Sequence, residues 1–328
     1  MASVRLYSFL TIARRFSCSS RAGSAAFQPN VDETNDKRIT LFEQELKKQQ
    51  SLITRIEKIE VKYQGLPEDA TLIMNKGVST PFNCAQHMSE LLTTRSVVAE
   101  VNGELWDMHR PLESDCTLKL LHMKTDDVHH AALVNKTFWR SCSFLMGAVI
   151  ERAFKDDIHV LLHSFPSANV RSGSFVYDVQ LGLENWQPTL NELRQLSAAM
   201  VKFSQSAHTF QRLETDASVA LKLFENNPFK IEQIPQIAAK SNSGNTVTIY
   251  RIGNHLDISR GPMIASTNQV GRCSIIAVHK LDGLYRFQGI ALPSDIYLNQ
   301  FAYGILEGRA RKLNPARIPE LHVKKDAV

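Results

Sequence analysis

The hydrophobic and polar positions along the chain predict a mixture of helices and short strands. Residues 32–57 carry an apolar stripe at helical spacing, so we predict one N-terminal helix there. The stripe is narrow, and the helix either folds back on its own domain or serves as a docking arm for a partner. Later segments alternate with a period of two between turn residues, which is typical of strands. The chain is therefore predicted to be an α+β protein.

Residues 58–123 show short strands around one helix. Thr80 and Pro81 predict a helix start, because threonine caps a helix and proline suits its first turn. Asn102-Gly103 predicts a tight hairpin, whose two central residues need positive φ. The predicted strands are 59–63, 71–74, 97–101 and 118–121. This arrangement indicates a ubiquitin-like β-grasp domain.

Residues 124–308 are predicted to form a larger α+β unit. Thr189 and Glu192 form a capping box that predicts the start of a helix continuing through Phe203. Further helices are predicted at 136–154 and at 216–226, the second ending before Pro228. Strands are predicted at 174–183, 247–252 and 275–279.

Composition excludes several classes of protein. The chain has 328 residues, of which 43% are hydrophobic and 22% charged, so disorder is not its main state. Its longest apolar run in the body, 144–150, is much shorter than the roughly 20 residues that span a bilayer. The 5 cysteines lie far apart and read as free thiols of a reducing compartment.

Positive charge is concentrated at the two ends. Residues 1–31 contain Arg5, Arg14, Arg15 and Arg21 with no acid, which predicts a mitochondrial transit peptide. A secretory signal is the alternative, but the arginine pair directly after the apolar core argues against it. Each end has a net charge of +4, so the total of +5 leaves the body between them slightly acidic. Any contact with nucleic acid should therefore be local.

Common catalytic motifs are missing from the sequence. There is no phosphate-binding loop, no dinucleotide-binding glycine motif and no serine-hydrolase elbow. His159 and His163 lie on a predicted strand, about 13 Å apart, which is too far to share a metal ion. Asp257 and Arg260 lie where a strand runs into a turn, which either displays side chains at a pocket or is braced by an Asp-Arg pair.

Several segments together resemble the amino-terminal half of threonyl-tRNA synthetase. Residues 98–107 and 111–118 resemble the end of its small TGS domain. Residues 139–146, 173–178 and 257–263 resemble motifs of its editing domain. The resemblance implies a TGS-like domain over 58–123 and an editing-like domain over 124–308.

Four positions depart from that family's hydrolytic pattern. Where the editing domain has two histidines and then a cysteine and a histidine, this chain has Arg140, Phe144, Ser259 and Met263. A hydrolytic site needs a group that exchanges protons near neutral pH, and these side chains do not supply one. We therefore expect no catalytic residues, no cofactor, no metal site and no small-molecule substrate.

The combination also resembles the synthetase-derived proteins of the mitochondrial large ribosomal subunit. The chain ends at Val328, where a synthetase would begin its aminoacylation core. The resemblance implies a non-catalytic structural component of that subunit in the mitochondrial matrix, bound to ribosomal proteins and large-subunit rRNA. The alternatives are a freestanding mitochondrial tRNA deacylase using Cys142, Ser259 or His255, and a tRNA-binding adaptor.

Residues 309–328 are expected to form a short extended basic tail, since Pro315 and Pro319 oppose a packed helix. Attached to a ribosomal body, such a tail is suited to neutralising rRNA phosphates. The alternative is a solvated, disordered terminus. The candidate RNA-binding residues are Arg309, Arg311, Lys312 and Arg317.

Overall fold

The computed structural model describes residues 31–155 and 157–318. The helices of these residues are α1 (Val31–Ser51), α2 (Pro81–Met88), α3 (Glu90–Arg95), α4 (Val128–Ala153), α5 (Leu190–Gln205), α6 (Ala217–Leu223), α7 (Pro228–Ala238) and α8 (Gln300–Ala310). The strands are β1 (Lys58–Tyr63), β2 (Ala70–Asn75), β3 (Ser96–Val101), β4 (Glu104–Trp106), β5 (Cys116–His122), β6 (Val160–Ser164), β7 (Phe175–Leu181), β8 (Gln211–Asp216), β9 (Thr246–Ile252), β10 (His255–Ile258), β11 (Val270–Lys280) and β12 (Tyr285–Pro293). The α+β class is confirmed. Residues 1–30 of the predicted transit peptide and residues 319–328 of the predicted tail lie outside the described residues.

The first unit is a β-grasp sheet of five strands in the order β2-β1-β5-β3-β4. Asn102 and Gly103 have φ values of 50° and 84°, so the predicted hairpin turn is confirmed. Thr80 caps α2 by accepting a hydrogen bond from the backbone N–H of Asn83, at 3.3 Å. α2 packs Cys84 into the core of this sheet.

The second unit contains two antiparallel sheets around α4. One sheet has the order β11-β12-β7-β6 and the other β10-β9-β8. α4 begins before the predicted residue 136, because the Asp127 carboxylate accepts hydrogen bonds from the N–H groups of His129 and His130. Neither α4 nor another helix within the described ranges is long and apolar enough to cross a membrane.

The prediction of one helix over 216–226 is wrong in its extent. α6 ends at Leu223, and a second helix, α7, follows it. Pro228 occupies the first turn of α7, where its missing N–H costs nothing, and Asn227 caps that helix. The proline that reads as the end of one helix is the beginning of the next.

α1 folds back on the second unit, which is the first of the two alternatives predicted for it. Phe42 is fully buried in the core built on β8, β9 and α6. Glu43 accepts a hydrogen bond from Arg251 Nη1 at 2.8 Å. The helix ends at Ser51 and not at residue 57, since the N–H groups of Leu52 and Ile53 bond to carbonyls three residues back, in a final tighter turn.

Candidate functional site

The four positions that depart from the editing pattern lie together, where α4 meets the segment after β10. Arg140 and Phe144 are one turn apart on α4, while Ser259 and Met263 follow β10. The Arg140 guanidinium donates a hydrogen bond to the Pro262 carbonyl at 2.8 Å, which joins the two segments. Burial lowers the pKa of Arg140, yet a guanidinium stays protonated in proteins and is no general base.

Phe144 fills the centre of this region with an aromatic ring. Its side chain is fully buried. Its ring centroid lies 5.0 Å from that of His255, 5.7 Å from Phe210, 6.4 Å from Phe165 and 6.5 Å from Tyr250. These edge-on contacts are the usual packing of aromatic rings in a core. Phe144 is therefore part of the packed apolar core.

Ser259 and Met263 are held by backbone and structural side chains. The Ser259 hydroxyl oxygen accepts a hydrogen bond from the Gly261 N–H at 3.3 Å. The Met263 N–H donates to Asp107 Oδ1 at 2.8 Å. Among the hydrogen bonds of the described residues, none gives Ser259 a basic partner that could activate its hydroxyl.

The other candidate nucleophile, Cys142, and the candidate base, His255, are also buried in the core. Cys142 is fully buried, and burial raises the pKa of its thiol well above the ordinary value. His255 Nδ1 lies 2.7 Å from Glu151 Oε2, and its ring is almost completely buried. Burial opposes ionisation of Glu151, but the charge and hydrogen bond of His255 leave the pKa of this carboxyl below its usual value. The pair forms a structural brace inside the domain.

Asp107 of the β-grasp domain reaches into the same region and was not predicted as a site residue. Its Oδ2 accepts a hydrogen bond from the Tyr250 hydroxyl at 2.7 Å, while Oδ1 accepts from Met263 N–H. Burial raises the pKa of Asp107 against the opposing effect of these two bonds. Gly261 has a φ of 66°, and a Cβ there would lie 1.9 Å from the Tyr250 hydroxyl. A glycine is therefore required where the two domains meet.

Asp257 lies in a second buried network. Its carboxylate pairs with the Lys230 ammonium and accepts a hydrogen bond from the Tyr177 hydroxyl. Asp257 is fully buried against Lys230, and among the ion pairs of the described residues none joins it to the exposed Arg260. The predicted alternative of a turn braced by an Asp257-Arg260 pair is therefore wrong. The partner comes from α7, a helix that the sequence did not predict.

The candidate RNA-binding side chains lie exposed on one continuous segment at the end of the described chain. Arg309 belongs to the last turn of α8, and Arg311, Lys312 and Arg317 follow it without further helix or strand. The segment differs from the predicted extended tail in three respects. Arg309 still belongs to helix α8, so the extended part begins after Ala310 and not at residue 309. The Arg309 guanidinium also donates a hydrogen bond to the Arg171 carbonyl, and residues 314–317 are fixed to β12. Asn314 is almost completely buried.

Arg286 on β12 provides that attachment. Its guanidinium is fully buried and forms a bidentate pair with Asp178, both bonds being 2.7 Å long. It also donates to the carbonyls of Asn314, Ala316 and Arg317 at 2.8, 2.5 and 3.0 Å. The exposed cations are thus presented on an ordered backbone.

The fold and the converging positions define a relative of threonyl-tRNA synthetases. The TGS domain family matches residues 63–122. The cytoplasmic threonine-tRNA ligase 1 of Rattus norvegicus is 29% identical over 247 residues, covering 72% of this chain and 32% of the ligase. The mitochondrial threonine-tRNA ligase of the same organism is 31% identical, covering 70% and 30%. The chain therefore spans about a third of the length of these ligases.

Similarity to a ribosomal protein covers most of both chains. The large ribosomal subunit protein mL39 of Drosophila melanogaster is 49% identical over 290 residues, which are 86% of this chain and 86% of that protein. The chain belongs to the mL39 family.

Proposed function

We propose that the protein is a non-catalytic structural component of the large subunit of the mitochondrial ribosome, in the mitochondrial matrix. The observation that carries this proposal is the 49% identity to large ribosomal subunit protein mL39 across 86% of each chain. Matrix import by residues 1–31 is part of the same proposal, on the arginine-rich, acid-free composition of that segment.

The chemistry of the converging positions supports a non-catalytic role. Arg140 cannot act as a base, and Phe144 and Met263 cannot exchange protons. Cys142 is buried as an un-ionised thiol, and the His255 ring lies against Phe144 and Glu151. The editing-like domain then serves as a folded body whose surface, and not its centre, carries the function.

The four basic residues at the end of the described chain are the proposed rRNA contact. Their side chains are exposed while the backbone of residues 314–317 is held in place. Each phosphate that they neutralise should add a salt-sensitive increment of affinity. Contacts with neighbouring ribosomal proteins are proposed for the remaining faces.

Co-sedimentation with large subunits from a mitochondrial lysate tests the proposal. The variant with Arg309, Arg311, Lys312 and Arg317 changed to glutamine should leave the subunit at lower salt. The slope of its log affinity against log salt should be smaller in magnitude by about 3, because each lost phosphate contact removes roughly 0.7 to 0.9 from that slope. An unaltered salt profile would show that this segment does not contact rRNA.

The matched control has Lys47, Lys48, Lys58 and Lys62 changed to glutamine, which are equally exposed but lie elsewhere. This control removes the same charge and should keep the wild-type slope of log affinity against log salt, because a contact with a protein neutralises no phosphates. Purified wild-type protein should also leave seryl-tRNA and threonyl-tRNA charged at the background rate. Hydrolysis that disappears with Cys142→Ala or Ser259→Ala would favour the deacylase alternative.

A further inference from the structure

The β-grasp sheet ends in an edge strand on each side, and β2 is the longer of the two. β4, at the opposite edge, has three residues and offers little backbone for another strand to pair with. β2 has six residues in unbroken register with β1. An edge strand leaves the outward N–H and C=O groups of alternate residues without a ladder partner.

Thr71 and Ile73 carry the outward main-chain groups of β2. Glu60 lies opposite Ile73 on β1, and its N–H points away from β2, where it donates to Asp115 Oδ1 at 2.8 Å. In an antiparallel ladder the residue opposite then also points its N–H and C=O outward, and so does the residue two positions away. Among the hydrogen bonds of the described residues, none reaches the outward groups of Thr71 or Ile73.

Helices supply partners to edge strands of the second unit but not to β2. Asn227 Nδ2, before α7, donates to the Leu162 carbonyl of β6 at 2.8 Å. The Ser197 hydroxyl of α5 accepts from the Ile275 N–H of β11 at 2.9 Å. β2 also lacks a charged residue, a proline and a bulge, which are the usual devices that keep a free edge from pairing. The edge of β2 is therefore open to another strand.

The charge beside this edge is negative at the start of β2. Glu68 and Asp69 are exposed directly before the strand. Lys58 and Lys62 belong to β1, so that β2 lies between them and the open side, and Glu60 stands between the two lysines. A segment that pairs with β2 would therefore meet acidic side chains first.

The whole β-grasp domain is acidic. Residues 58–123 contain nine acidic and six basic residues, a net charge of −3. Lys76, just after β2, is paired with Glu57 at 3.0 Å. This domain would repel rRNA phosphates and the same domain of a second copy, whereas it would attract a positively charged protein segment.

We propose that β2 pairs with an extended segment of a neighbouring large-subunit protein, which adds a sixth strand to the five-stranded sheet and carries lysine or arginine beside Glu68 and Asp69. The proposal rests on the proposed function, since the neighbour belongs to the assembled subunit. The two N–H and two C=O groups of Thr71 and Ile73 match the spacing of another extended backbone. Side chains of the added strand would lie beside Leu72, at the margin of the domain core.

Residue-resolved hydrogen exchange in the free protein and in assembled subunits tests the proposal. In the free protein the amides of Leu72 and Met74 face β1 and should be protected, while those of Thr71 and Ile73 should exchange freely. In the subunit the amides of Thr71 and Ile73 should slow by at least about a hundredfold. Unchanged exchange at these two residues, in subunits that contain the protein, would overturn the proposal.

Photo-crosslinking identifies the partner of β2. Ile73 is 60% exposed, and benzoylphenylalanine at this position should crosslink to a protein segment with lysine or arginine at one end. The same group at Val128, which is 84% exposed at the start of α4, is the control and should not give that product. Crosslinks from position 73 to rRNA, to a second copy or to a segment without a basic end would overturn the proposal, as would no product.

Two pairs of variants separate strand pairing from a general loss of structure. Thr71→Pro removes an outward N–H but no bond to β1, so it should fold like Thr71→Val and yet reduce the crosslink from position 73 at least about tenfold. Thr71→Val keeps the N–H and should leave the crosslink unchanged. Glu68→Lys should also reduce it, whereas Glu104→Lys, at the opposite edge, should not. An undiminished crosslink in Thr71→Pro would contradict strand pairing. Failure of the wild-type protein to co-sediment would instead reject the proposed function itself.

Discussion

Replacing Arg286 by methionine should both destabilise the second domain and release the basic segment. The wild-type guanidinium forms two hydrogen bonds with Asp178 and three with the carbonyls of residues 314–317, and it is fully buried. Methionine has a similar length but donates none of these bonds. Asp178 would then remain buried without its partner.

The expected loss in the free energy of unfolding follows from that uncompensated charge. Breaking a buried ion pair by removing one partner costs about 3–5 kcal/mol. For a domain of this size about 1 kcal/mol corresponds to roughly 2–4 °C, so the Tm should fall by at least about 6 °C. Changing Asp178 to leucine in the same variant should recover part of this loss, because an apolar pair leaves no buried charge.

Calorimetry and hydrogen exchange measure the two consequences separately. The Asn314 N–H donates to Gln288 Oε1 at 2.7 Å, so this amide is protected while the segment is docked. It should exchange faster in Arg286→Met at a temperature where the core amides of β9 remain protected. A Tm shift below about 2 °C, or unchanged exchange at Asn314, would refute the view that Arg286 holds the segment.

Three further predictions concern the domain junction, pH and import. Gly261→Ala should cost at least about 2 kcal/mol by denaturant unfolding, because its Cβ would displace Tyr250, whereas Gly244→Ala, with φ of 75° and open space, should cost about 1 kcal/mol. Equal losses would contradict this. The pKa of Glu151 is lowered by His255, so ionised Glu151 stabilises the fold above its ordinary pKa of 4.5, and this contribution is lost as pH falls below that value. The Tm difference between wild type and Glu151→Gln should therefore shrink in acid; a constant difference would count against the brace. Amino-terminal sequencing of the mitochondrial form should show removal of roughly the first 20 to 30 residues; a mature protein beginning at residue 1 or 2 would refute import by this segment.

The sequence predicted those turns and helix starts that are determined by residues close together in the chain. Thr80, Asn102-Gly103 and the Thr189-Glu192 capping box each fix their own turn or helix start, and the structure confirms all three. Pro228 shows the limit, since proline is compatible with the end of one helix and with the start of another.

The contacts that hold the candidate site together depend on distant parts of the chain. Asp107 and Tyr250 are separated by 143 positions, and nothing local to either residue indicates the other. Arg286 lies in β12, where every residue except Leu292 is buried. Because both faces of this strand are buried, the strand shows no alternation of buried and exposed positions that would indicate a special role for Arg286. The family resemblance located Arg140 and Phe144, but only the fold shows that aromatic rings close around Phe144.

The copy number of the protein in purified mitochondrial large subunits tests the central claim most directly. Quantitative mass spectrometry across a sucrose gradient at physiological salt should find one copy per large subunit, in the same fractions as the large-subunit rRNA. RNase treatment that disperses the subunit should move the protein with it. A protein that stays at the top of the gradient, or that is present in only a small fraction of subunits, would contradict a structural role in the ribosome.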